Sequence, residues 1–194
     1  MGARRYGMIT YEYKSGMAFL PDLAGGSCFP QVYCSSLEMG KSEARVQFTD
    51  DIIFNPGKKG LFQLVVLVDK VQELEAAAQA LRNVQRLSQD TLISSEATFI
   101  VHDSFARVES TSTWPSCNGR VVRIASGSEF AADERLCGGR PEPIYYDPYR
   151  IKKEVRGRSF IILRPDRFVF AACADEAQLE IAASRISSVL MGES

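Results

Sequence analysis

Residues 61 to 68 read LFQLVVLV, an almost unbroken apolar run of strand length. A strand with one face in water alternates apolar and polar side chains. A strand apolar at nearly every position belongs to a sheet covered on both faces, the arrangement of α/β proteins. The next residues supply part of that cover. Val71, Leu74, Ala78 and Leu81 recur at helical spacing, and Asp69 followed by Gln72 matches an N-cap with Gln three residues on, so the pattern predicts a helix over about residues 70–88. Thr98 to His102, TFIVH, reads as a second buried strand, and strand, helix, strand in this order predicts a parallel pair joined by a right-handed crossover.

The C-terminal third is as well patterned. In YYDPYRIKKEVRG, residues 145–157, Asp147 is placed to cap a short helix with Pro148 in its first turn and Gly157 at its end. Phe160–Leu163 and Phe168–Ala172 read as a hairpin about Pro165-Asp166, because proline presets the first central dihedral of a type I turn and Asp tolerates the second. Asp175 with Gln178 then caps a last helix whose buried stripe is Leu179, Ala183, Ile186 and Leu190. Strand, helix, strand, helix, hairpin, helix is the order of a thioredoxin-like fold, with a central mixed β-sheet flanked by helices.

Elsewhere the signal is weaker. Between Asp103 and Tyr146, Val121–Ala125 is a strand candidate, and Trp114-Pro115, Gly138-Gly139 and Pro141-Glu142-Pro143 mark turns and surface loop. The first residues, including Phe48–Phe54, suggest an extended arm with edge strands, turning at Gly25-Gly26 and Pro56-Gly57. The division expected is residues 1–55 as N-terminal arm and edge strands, and residues 56–194 as the thioredoxin-like domain.

With 45% hydrophobic residues in 194, the chain can bury a core without staples. Lys and Arg number 23 against 24 Asp and Glu, so the electrostatic footprint of a nucleic-acid or anionic-membrane protein is missing. No apolar run approaches the roughly 20 residues of a membrane span, and the opening residues lack a secretory h-region, so a cytoplasmic location is expected. Cys28, Cys34, Cys117, Cys137 and Cys173 are odd in number and include no C-x-x-C pair, which speaks against structural zinc and dithiol redox chemistry and for reduced thiols.

The run YYDPYRIKKEVRGRSFIILRPDRFVFAA resembles the C-terminal thioredoxin-like domain of phenol hydroxylase-type flavin monooxygenases, most specifically at Leu163-Arg164-Pro165-Asp166-Arg167-Phe168. PGKKGLFQLVVLV, residues 56–68, is similar to that domain's first strand and its approach, and ITYEYKSG, residues 9–16, is similar to the segment leading into it. The resemblance spans about residues 56–192. It implies subunit association, in the setting of aromatic-compound or polyketide secondary metabolism. The family's flavin domain has a G-x-G-x-x-G loop that this sequence lacks, so nothing offers a glycine turn and helix N-terminus to a pyrophosphate, and no cofactor is expected.

His102, the single histidine, sits at the end of a predicted strand, where ligands gather in open α/β sheets, and an imidazole serves as a base near neutral pH. Asp103 is next in the chain, although adjacent strand residues point to opposite faces. Tyr145, Tyr146 and Tyr149 cluster before the short helix, and phenols there can donate to a ketone or enolate oxygen. Core packing explains His102 and the tyrosines equally well. The candidate catalytic set is His102, Asp103, Tyr145 and Tyr146. Tyr11, Tyr13, Trp114, Arg164 and Asp166 are the candidate substrate contacts, although turn chemistry alone also accounts for Arg164 and Asp166. Lys58-Lys59 and Lys152-Lys153 read as solvated charge pairs.

Two functions fit. One is a cofactor-independent isomerase, cyclase or decarboxylase acting on a small aromatic or polyketide ligand through acid/base residues. The other is a non-catalytic module that pairs with itself as a homodimer or with a separate flavin monooxygenase. A chain with its own start and a long N-terminal arm favours the first. That reading predicts a closed apolar pocket near His102, whereas the second predicts an exposed apolar patch and no enclosed pocket.

Overall fold

The computed structural model describes residues 18–37, 45–58, 60–85, 93–103, 119–139 and 141–191. β3 (Phe62–Val68) lies inside the sheet with all seven residues buried, as the almost unbroken apolar run requires. Phe62, Leu64, Val66 and Val68 enter one core with Leu74, Ala78 and Leu81 of α2 (Leu74–Gln85) and Leu179, Ala182 and Ile186 of α6 (Glu176–Met191). Val65 and Leu67 enter a second core on the other face, with Ile52 and Ile53 of α1 (Thr49–Ile53), Ile151 of α5 (Arg150–Glu154), and Phe29 and Val32.

Among the described residues, seven strands form one mixed sheet in the order β2-β1-β5-β4-β3-β6-β7. β3 pairs in parallel with β4 (Ile93–Val101), which pairs in parallel with β5 (Gly119–Ile124). On the other side β6 (Phe160–Leu163) and β7 (Val169–Cys173) add antiparallel neighbours. β1 (Tyr33–Ser36) and β2 (Val46–Phe48) extend the far edge, also antiparallel.

The chain's early segment, in its described residues, joins this same sheet. Leu20 N–H donates to Phe170 O at 2.8 Å and Val169 N–H to Ser27 O at 2.8 Å, so the segment lies along β7. It then crosses the second core through Phe29 and Val32 and enters β1 at the opposite side of the sheet. The expected extended stretch Phe48–Phe54 is instead a strand end leading into α1. Asp50 and Asp51 in the first turn suit the positive end of the helix dipole, and Thr49 Oγ1 accepts from Val32 N–H at 3.1 Å.

Several local expectations need correction. Asp69 does not cap the helix after β3. Its N–H donates to Glu73 Oε2 at 2.9 Å, and a 3-10 turn over Val71–Glu73 leads into α2. Asp147 accepts from Tyr149 N–H at 3.0 Å, ahead of the cap position, so α5 is shorter than the pattern suggests. Asp175 does cap α6, accepting from Gln178 N–H at 2.9 Å, while Gln178 Oε1 accepts from Ala174 N–H at 3.0 Å. The hairpin turn closes with Arg167 N–H on Arg164 O at 3.0 Å. Arg167 takes φ 69°, the bulge position that relieves the strand twist. Two further helices, α3 (Gly127–Ala132) and α4 (Glu134–Cys137), stand where the sequence suggests irregular loop.

Among the described residues no helix is long and apolar enough to cross a membrane. Cys28, Cys34 and Cys173 are free thiols, and burial pushes Cys34 and Cys173 up to about 12, away from thiolate chemistry.

Candidate functional site

The parallel strands end together at Val68 and Val101, and the chain continues the ladder for one more step. His102 N–H donates to Val68 O at 2.8 Å and Asp103 N–H to Asp69 O at 3.3 Å. This places His102 at the carboxyl edge of the sheet, where ligands gather in α/β folds. Tyr149 lies over it, with ring centroids 5.0 Å apart and an interplanar angle of 28°.

Two ion pairs frame the stack. Lys152 Nζ sits 2.6 and 2.8 Å from the Asp69 carboxylate oxygens, and Lys153 Nζ sits 2.7 Å from Asp147 Oδ2. The Lys153 contact, with the Tyr149 N–H bond to Asp147, fixes the start of α5 and so fixes Tyr149. It also holds the Asp147 carboxyl below its usual range. Burial holds the His102 imidazole below its ordinary value, against an opposing pull from the residue's own backbone, with the Lys152 charge acting with burial and the Asp69 and Asp147 charges opposing. Both ring nitrogens are buried without a hydrogen-bond partner. Each such atom costs about 1–3 kcal/mol of desolvation, and burial favours the neutral ring.

The other sequence candidates are scattered around this point. Tyr145 is 95% exposed, and Ile144 beside it is 88% exposed. Tyr146 turns inward: its hydroxyl donates to Ala125 O at 2.9 Å and accepts from Tyr33 N–H at 3.1 Å. Its ring stacks on Tyr33 at 4.5 Å, which in turn stacks on Phe130 at 4.1 Å. Burial raises the Tyr146 phenol above its ordinary value, so with both hydrogen-bonding roles taken by backbone it is held as a neutral anchor.

Arg164 and Asp166 form a two-pronged pair at 3.1 and 2.6 Å, and Arg164 also donates to Ala18 O at 3.2 Å. That pair clamps the β6–β7 turn. Because β6 runs antiparallel to β3 and Leu163 pairs with Gln63, the turn lies at the opposite end of the sheet from His102. Tyr11, Tyr13 and Trp114 lie outside the described residues.

The sequence does not reveal Tyr149 and Lys152 as partners of His102, because the contact joins the end of β4 to a helix nearly fifty positions later. Nor does it reveal the place of Lys58, which is not a solvated charge. Its Nζ donates to Oγ1 of the fully buried Thr98 at 2.7 Å. A cleft of about 490 Å³ opens between β2, α3 and α4, lined by Val46, Glu129, Asp133 and Arg135 among others, and it does not include His102. Among the described residues no cluster of His, Cys, Asp and Glu is arranged to hold a metal ion.

Comparison with family models, with curated proteins and with solved structures finds no match to this chain.

Proposed function

We propose that this chain is a non-catalytic association module of thioredoxin-like architecture, pairing with a second copy of itself through the loop of residues 141–149. The observation that carries the reading is Ile144 and Tyr145, 88% and 95% exposed at the tip of a loop whose next residue, Tyr146, is tied to two backbone groups. Large exposed side chains beside a backbone-anchored residue suit an interface anchor, because less of the loop must be ordered on binding.

With roughly 200 Å² per ring, Tyr145 and the 57% exposed Tyr149 together offer roughly 300 Å². A stable interface takes about 800 Å² from each partner, so these residues are its anchors and the surrounding polar surface its rim. The strand order β4-β3-β6-β7, with α2 and α6 on one face, supports the thioredoxin-like reading. The resemblance of residues 145–172 to the association domain of phenol hydroxylase-type flavin monooxygenases supports the role.

Sedimentation equilibrium of the purified chain tests this. The reading predicts a reversible dimer that Ile144→Ser with Tyr145→Ser converts to monomer without loss of helical circular dichroism. A wild-type chain that stays monomeric at every accessible concentration overturns it.

One observation favours the second reading, acid/base catalysis on an aromatic or polyketide ligand. His102 has two unpartnered ring nitrogens at the carboxyl edge of the parallel strands. Under that reading a neutral imidazole takes a proton from the ligand while the Lys152 ammonium faces the charge left behind. Turnover of such a ligand without added cofactor, abolished by His102→Gln, would select this reading over association alone. A separate flavin monooxygenase is the alternative partner under the association reading.

A further inference from the structure

At the end of the sheet opposite His102, polar side chains interrupt an otherwise apolar face. Val65 pairs with Thr98, and both point toward the second core, as Val65 and the neighbouring Ile100 show by their contacts. Gln63 lies two residues before Val65 and so shares that face. Thr98 is fully buried and Gln63 is 6% exposed. Gln63 donates to Gly60 O at 3.2 Å, while its Oε1 is buried without a partner. Lys58 reaches into this group from a turn in which its N–H donates to Asn55 O at 3.0 Å and Gly57 N–H donates to Asn55 Oδ1 at 3.0 Å. The backbone is thus fixed where the side chain leaves it, and the amine ends 2.7 Å from Thr98 Oγ1.

We propose that Lys58, Thr98 and Gln63 form a nucleophilic amine site for small oxo acids, with Lys58 Nζ attacking the carbonyl carbon and Arg120 attracting the ligand's carboxylate. Three features make the amine suited to this. Its hydrogen-bond partner is a hydroxyl, which does not hold the nitrogen in its charged form as a carboxylate would. The residue is only partly buried. Burial and the charge of Arg120 lower the Lys58 amine to about 8, against the opposing charge of Glu96, so a sizeable neutral fraction exists near neutral pH. Arg120, paired with Thr98 on the neighbouring strand, brings the cation that a carboxylate-bearing carbonyl compound prefers.

The chemistry balances without a co-reactant. The nitrogen lone pair forms the C–N bond, the carbonyl oxygen takes up a proton as the nitrogen loses one, and the carbinolamine expels that oxygen as water to leave an imine. Gln63 Oε1 supplies a buried acceptor on the same face for the carbinolamine hydroxyl.

The test is reductive trapping of glyoxylate on the full chain with cyanoborohydride at neutral pH, then peptide mass mapping, with formaldehyde as the uncharged control. An amine lowered from 10.5 to about 8 has about 300-fold more neutral form, and allowing for its weaker nucleophilicity Lys58 is expected to label at least about tenfold faster than Lys152 or Lys153. Arg120→Gln removes a charge that lowers the amine and so slows labelling of Lys58 by both aldehydes, and it is expected to slow labelling by glyoxylate several-fold more than labelling by formaldehyde. Lys58 labelling no faster than Lys152 and Lys153 with either aldehyde overturns the nucleophile. Equal effects of Arg120→Gln on both aldehydes overturn the oxo-acid preference. Folded Lys58→Arg protein, checked by circular dichroism, must lose the fast-labelling peptide.

Discussion

At His102 two buried ring nitrogens go without partners, and this sets what the residue does for stability. Its folded value is depressed, so the unfolded chain binds the proton more readily. The stability it permits is complete above the unfolded value of about 6.5 and is lost as the pH falls toward the lower folded value. A urea titration of the wild type is expected to weaken over that window, and His102→Phe is expected to remove the dependence. Because the substitution replaces unpaired polar atoms with an apolar ring of similar shape, its cost at neutral pH is expected to lie within about 1 kcal/mol. Tyr146 is the opposite case. Tyr146→Phe strands Ala125 O and Tyr33 N–H, and denaturant unfolding should show a loss of about 1–3 kcal/mol. The sequence shows three tyrosines in five residues, but whether each faces core, solvent or His102 depends on partners more than a hundred residues away in the case of Tyr33.

The elements best read from the sequence are those with a strong period and their own caps. β3 announces itself by an apolar run broken only at Gln63, and α6 by Asp175 and Gln178, which the structure uses as caps. α3 carries a signal of the same kind at a length that hides it. Ser126 and Glu129 satisfy a capping box, with Glu129 N–H on Ser126 Oγ at 3.1 Å and Ser126 N–H on Glu129 Oε2 at 2.8 Å, but the helix is too short for its period to stand out. Ser126→Ala is expected to cost about 1 kcal/mol in thermal or denaturant unfolding.

Glu129 also takes a two-pronged contact from Arg123, which holds its carboxyl below the usual range. Its contribution is present above the unfolded value of about 4.3 and is lost as the pH falls through the lower folded value. Acid unfolding of Glu129→Gln should therefore start from a lower stability and fall less steeply over that window than the wild type. α1 is not legible in the same way, since Thr49–Ile53 alternates too little for either period, and its bond to Val32 is tertiary.

Across the whole molecule, the sheet is wider than the five strands readable in the C-terminal two thirds, Val121–Ala125 among them as β5. β1 and β2 extend it past β5, and residues 18–29 run along β7, so the chain's early segment closes both sides and covers one face. Those short strands carry no strong alternation, and their place is fixed by the strands they join. The most exposed large hydrophobic residues among those described, Ile144 and Tyr145, face water on the loop of residues 141–149, which is pinned from beneath by Tyr146 and by Asp147 to Lys153. The association reading rests on that contrast between a fixed base and an apolar tip. Hydrogen exchange of the wild type, measured at low and high protein concentration, tests it most directly. The account predicts that amides of residues 143–150 gain protection as concentration rises while the strand amides do not change. Exchange in this loop that is independent of concentration, in a sample that dimerises, would place the interface elsewhere and contradict it.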